Sequence, residues 1–131
     1  TMHTNTAAGA ITRMVDAFPP DKQEVIRMNM SMSLLAVVAQ QLVPTNDGKR
    51  ALACEVMIAT QAIRALIREN NVHQLDNYIK SGGNDGMILM DDSLIKLYQK
   101  GIISDSNLIR HAINPTQIEE NISTVRKQPN I

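Results

Sequence analysis

Thr60-Gln61-Ala62-Ile63-Arg64-Ala65-Leu66-Ile67-Arg68-Glu69 is the stretch that decides what this chain can be. Thr60 has a hydroxyl suited to accept a hydrogen bond from a free N–H at the start of a helix, so it predicts an N-cap with the helix running to Glu69. Ala62, Ile63, Leu66 and Ile67 recur with helical spacing and cover one side. Arg64 and Arg68 are four residues apart and share the other. Such an arginine pair is either a solvated helix face or a grip for carboxylates on another subunit, and spacing alone leaves both readings open.

Downstream the chain reads as consecutive helices. Asn71 caps a helix that reaches Ser81, and Gly82-Gly83 supplies a left-handed stop. Asn84 or Asp85 opens the next, with Met87, Met90, Leu94 and Leu97 as one apolar stripe before Gly101 ends it. Ser104 caps a helix ending near Asn114-Pro115, and Thr116-x-x-Glu119 reads as a capping box for a last turn or two. Residues 123–131 read as a disordered tail.

Upstream lies a mixed region. Arg50 to Ile58 reads as a strand paired with Leu42-Val43-Pro44 around the turn Asn46-Asp47-Gly48. Leu52, Cys54, Val56 and Ile58 then face one way, and Ala51, Ala53, Glu55 and Met57 the other. Before the hairpin, Val25, Met28, Met32, Leu35, Ala39 and Leu42 recur at three- and four-residue steps. That spacing predicts a largely buried helix from Pro20 to about Gln41, too short in heptads for a coiled coil. Thr4 or Asn5 caps a shorter helix through Ile11 and Val15, which stops before Phe18-Pro19-Pro20. Met2-His3-Thr4-Asn5 reads as the end of a buried strand running into that helix, so the true beginning of the protein is expected to lie upstream of Thr1.

Composition narrows the function classes. At 131 residues the chain is one domain or a piece of one. Thirteen basic and thirteen acidic residues balance, which removes the charge footprint of a nucleic-acid binder. Aromatics are 2% of the chain, so its eight methionines and its branched aliphatics must fill the core. The lone Cys54 has no internal disulfide partner and points to a reducing compartment, the cytosol by default. No apolar run approaches the roughly 20 residues of a membrane span, so no direct membrane insertion is expected.

Few residues advertise chemistry. A Gly-x-x-x-x-Gly-Lys-Ser/Thr phosphate loop is absent, and Ser81 to Gly86, although glycine-rich, lacks the lysine-hydroxyl pair. His3 stands at the expected carboxyl end of a strand, where open α/β sheets bind ligands. It either meets a phosphate or an attacking water, or is satisfied by local backbone. His73 and His111 share no ligand spacing with it, and no metal site is inferred.

Three stretches taken together resemble the secretion-ATPase superfamily, in its type IV pilus retraction (twitching-motility) branch. Met2 to Ala8, with Ile11, Arg13 and Phe18-Pro19, is similar to the family's histidine box and the helix after it. Ala62 to Glu69 is similar to its arginine motif, departing at Ala65, where the family usually has asparagine. Gly82-Gly83 with Gly86-Met87 resembles its late glycine segment. Relatives that drive extension or type II secretion usually carry a four-cysteine zinc segment, and only Cys54 is present here.

The resemblance implies an α/β parent, a RecA-like P-loop NTPase assembled as a homo-hexamer. This chain would be its mainly helical C-terminal part, with a β-hairpin and the end of one sheet strand. Residues 1–60 would finish the RecA-like core, 61–122 form a helical subdomain and 123–131 the tail. ATP and magnesium are implied for the parent, with neither expected on this chain alone, because the Walker A and B segments would lie upstream. His3 is implied as a catalytic-site residue, with Thr4 and Arg13 on the histidine-box helix. Arg64, Arg68, Ile63, Leu66, Ile67 and Glu69 are implied in motor coupling, needed for retraction rather than for hydrolysis. The implied partner is a platform protein at the cytoplasmic side of the inner membrane, at the pilus base. A type II secretion or DNA-uptake ATPase and a non-catalytic helical interaction module remain as alternatives.

Overall fold

The fold is a computed structural model in which residues 1–126 are described, with side chains through Ser123. Helix α1 covers Ala7–Asp16 and buries Ala7, Ala10, Ile11 and Val15. Its cap is Thr6 rather than Thr4 or Asn5, because Thr6 has the extended backbone of an N-cap and its Oγ1 accepts from the Gly9 N–H at 3.0 Å. Among the described residues no strand includes residues 1–4, since the sheet contains only two strands, elsewhere in the chain.

The long helix expected from Pro20 to Gln41 is instead a shorter helix followed by a strand. Helix α2 is Gln23–Ser33, and Leu34 breaks it with an extended backbone. Strand β1, Ala36–Pro44, then pairs antiparallel with β2, Arg50–Ile58, from Ala36 opposite Ile58 to Pro44 opposite Arg50. The β-branched pair Val37-Val38 suits the pleat, and nine residues of ladder on the partner outweigh the helical spacing. The six apolar positions therefore straddle a helix–strand junction and share no core face. Only Ala39 is buried; Val25, Met28, Met32, Leu35 and Leu42 are 58%, 45%, 65%, 78% and 58% exposed.

The helical half follows the expected order with shifted ends. Helix α3 is Gln61–Arg68, and the Thr60 hydroxyl accepts from the Ile63 N–H at 3.4 Å. A 3-10 turn, Val72–Gln74, leads into α4, Leu75–Ser81. Gly82 is not left-handed, with φ −88°. A Cβ there would displace the tip of the Met87 side chain and press on the Tyr78 carbonyl at 3.1 Å. The left-handed residue is Gly86, φ 87°, after a second 3-10 turn at Gly83–Asp85. Ile88 then bridges to Val56, and that pairing delays α5 to Met90–Gln99 instead of a start near Asn84.

Helix α6, Asp105–His111, is capped by Ser104, and α7 is Pro115–Arg126. Pro115 occupies the first turn, where a missing N–H costs nothing, so Thr116 lies inside the helix instead of capping it. α7 is twelve residues long, beyond the last turn or two expected, and residues 123–126 of the expected tail continue it. The remainder of that tail, 127–131, lies outside the described residues.

Two apolar clusters back the hairpin. One joins Ile11, Met30, Met57, Ile63, Ile67, Leu75 and Ile79, from both sides of residue 60. The other joins Val43, Ala53, Leu94, Ile103, Leu108 and Ile118. Ala39, Val43, Ala53, Glu55 and Met57 form the buried side of the hairpin, as strand alternation requires.

Candidate functional site

The segment before α1 is held in a defined shape. Arg13 Nη1 donates to the Met2 carbonyl at 3.1 Å, and Thr4 Oγ1 donates to the Thr6 carbonyl at 3.3 Å. Between these anchors His3 has φ 53°, in the left-handed region that histidine enters more readily than most side chains. The ring is exposed at a groove of about 570 Å³ that also includes Thr4, Ile11, Met14, Met30 and Val37. Arg13, on α1, and Thr4, ahead of it, thus hold the backbone on either side of His3, and neither bond reaches its ring.

The arginine motif divides its labour. Ile63, Leu66 and Ile67 are core residues. Arg64 Nη1 donates to the carbonyls of Ser31 at 2.8 Å and Met32 at 3.1 Å. These belong to the last turn of α2, whose carbonyls lack helical partners and carry its negative dipole end. Arg64 therefore ties α3 to α2. Arg68 and Glu69 are exposed. Spacing put both arginines on one face, but the geometry gives them different surroundings. α2 packs against both α1 and α3, so it stands between the His3 segment and the arginine motif.

Two carboxylates escaped the sequence reading. Glu55, on the buried side of β2, is 2% exposed. Its Oε1 accepts from the Ala7 N–H at 2.7 Å and its Oε2 from the Met90 N–H at 3.0 Å. Those are the first N–H groups of α1 and α5, which have no partner inside their own helices. Burial pushes the Glu55 carboxyl above its ordinary value, outweighing the two N–H groups that favour its charge; Asp76 and Asp91 push the same way. Asp91, one residue after Met90, accepts from the N–H groups of Ile113 at 2.6 Å and Asn114 at 2.9 Å, just before α7. The available signal was a glutamate alternating with Ala53 and Met57 on one strand face.

The remaining candidates carry no assembled chemistry. His73 is exposed, while His111 Nδ1 lies 3.2 Å from Gln41 Oε1. Cys54 is half-buried, and its N–H donates to Ser93 Oγ at 3.1 Å. Among the described residues no group of three or more His, Cys, Asp or Glu side chains is disposed to hold a metal ion.

No family model matches the chain. It is 44% identical over 107 residues to the type IV pilus retraction ATPase PilT of Pseudomonas aeruginosa, covering 82% of this chain and 31% of that protein. A twitching motility protein of Neisseria gonorrhoeae is 41% identical over 115 residues, covering 87% of this chain and 31% of the relative. The crystal structure of the pilus retraction motor PilT with bound ADP superposes with a TM-score of 0.81 at 37% identity, over 92% of this chain and 33% of that one. The Legionella pneumophila ATPase DotB shares the fold at a TM-score of 0.65 and 21% identity, over 81% of this chain and 29% of that one. The chain spans about a third of the length of the relatives it matches.

Proposed function

For this chain, a homologue of the twitching-motility and pilus-retraction ATPases over about a third of their length, we propose a place within an ATP-driven retraction motor. The observation that carries the proposal is the similarity to pilus-retraction motors, at 44% identity to PilT of Pseudomonas aeruginosa and at a TM-score of 0.81 to the ADP-bound PilT structure, which is 37% identical. In this reading the parent ring hydrolyses ATP with magnesium, pulls on the pilus through a platform protein and works at the cytoplasmic face of the inner membrane. The phosphate loop and the acidic magnesium-positioning strand come from outside residues 1–131, so these residues alone neither hold ATP tightly nor turn it over.

Within such a motor, His3 faces the nucleotide, and its ring is presented by the Arg13 and Thr4 anchors. The arginine motif transmits motion. Arg64 couples α3 to α2, while Arg68 and Glu69 face outward, free to meet another subunit or the platform. The exposed apolar side chains of α2 and β1, Val25, Met28, Met32, Val38 and Leu42 among them, are where the rest of the subunit packs. A freestanding interaction module gripping its partner with both arginines fits less well, because Arg64 already bonds within the chain. Among the described residues no helix is long and apolar enough to cross a membrane.

Reading the coding sequence ahead of Thr1 tests the proposal. A Gly-x-x-x-x-Gly-Lys-Ser/Thr loop in frame upstream is the expected result. A start codon immediately before Thr1 would overturn it.

A further inference from the structure

Beyond the residues that the resemblance implicates, the buried carboxylate of Glu55 joins two helices that both rest on β2 and otherwise have different main packing partners. α1 packs mainly on α2, β1, β2 and the Val72–Gln74 turn, whereas α5 packs mainly on β2 and α6. Between them stands Glu55, whose two oxygens are each occupied by the first N–H of one helix. The next residue after Met90, Asp91, repeats the device toward the α6–α7 junction. A continuous path of carboxylate-to-backbone bonds therefore runs from the helix behind His3, through the start of α5, to the start of α7.

We propose that Glu55 is a positioning residue that locks the N-terminus of α1 to that of α5, so that the segment carrying His3 moves with the C-terminal helices rather than independently of them. The importance of His3 rests on the motor reading; the lock itself does not. A carboxylate is suited to the task because, once ionised, it accepts at both oxygens and complements two positive helix ends together. Glutamine at this position offers one acceptor oxygen and turns an N–H₂ group toward the second helix N–H. Aspartate is one methylene shorter.

The groups facing Glu55 make the lock readable by pH. Asp76 on α4 and Asp91 on α5 are the charged neighbours that disfavour its ionisation, and burial does so more strongly. The folded chain therefore binds this proton more tightly than the unfolded chain does. Glu55's contribution to stability is full below the ordinary carboxylate value of 4.5 and is lost as pH rises through the raised folded value. The lock has the opposite dependence: a proton on either oxygen weakens its bond to Ala7 or Met90. A residue that merely supports the fold would show both trends with the same sign.

The test is amide hydrogen exchange of the 131-residue chain, followed by nuclear magnetic resonance across the acid range, with the His3 ring signals recorded in the same samples. Protection at Ala7 and Met90 is expected to fall together, by about tenfold or more, as pH drops through the titration of Glu55, and the His3 signals should shift with the same midpoint. In Glu55→Gln one of the two amides should be unprotected at every pH, and the pH dependence should vanish. Separate midpoints for Ala7 and Met90, or an unchanged pH response in Glu55→Gln, would overturn the proposal. If the variant does not fold, the wild-type titration decides alone. No nucleotide is involved, so failure here is distinct from failure of the motor reading, which ATP turnover by the longer protein would reveal.

Discussion

Helices α2 and α3 lie against each other and are joined by Arg64, yet they treat their apolar side chains in opposite ways. α3 inserts Ile63, Leu66 and Ile67 into the core, at 0%, 7% and 0% exposure. α2 buries Met30 but leaves Val25, Met28 and Met32 facing outward. A filled stripe holds its own fold together, whereas the exposed one on α2 contributes little to this chain's core. The difference separates what α3 does for this chain from what α2 does for the assembly proposed around it.

The comparison can be broken at either helix. The largest effect is expected from Ile67→Ala, which removes a fully buried side chain and should lower the unfolding free energy by about 2–5 kcal/mol, read from the denaturant midpoint. Arg64→Ala removes the bonds to the α2 carbonyls and should cost about 1–2 kcal/mol, with faster amide exchange in the last turn of α2 as its specific sign. Loss of stability without that local change would detach Arg64 from α2. The smallest effect is expected from Met32→Ser, within about 0.5 kcal/mol for this chain. The same substitution in the longer protein should impair its folding or assembly, and an equal, negligible effect in both settings would remove the case for a partner on that stripe.

These contrasts also explain what was legible in the sequence. Thr60 and the Ile63–Leu66–Ile67 stripe gave α3, because its cap, its period and the burial of those three agree, while Ala62, read on the same side, is exposed. For Val25 to Leu42 the three- and four-residue steps ran across a change from helix to strand, and a ladder with β2 decided the second part. Sequence spacing could not show that contest, since the ladder partner lies beyond the turn. His3 stood out as a candidate from its type and place in the sequence, whereas its left-handed backbone between the Met2–Arg13 and Thr4–Thr6 bonds did not. The link through Glu55 was not, since strand alternation places a residue on a face without saying that two helix N-termini, from Ala7 and Met90, meet there. Arg64 and Arg68 likewise differ only through the position of α2.

The most direct test of the motor proposal is magnesium-dependent ATP turnover, measured on residues 1–131 alone and on the longer protein that contains them. The account predicts no turnover by the isolated residues, turnover by the longer protein, and a marked loss of that activity in His3→Ala with the fold intact. Turnover by residues 1–131 alone, or a longer protein that does not hydrolyse ATP, would contradict it.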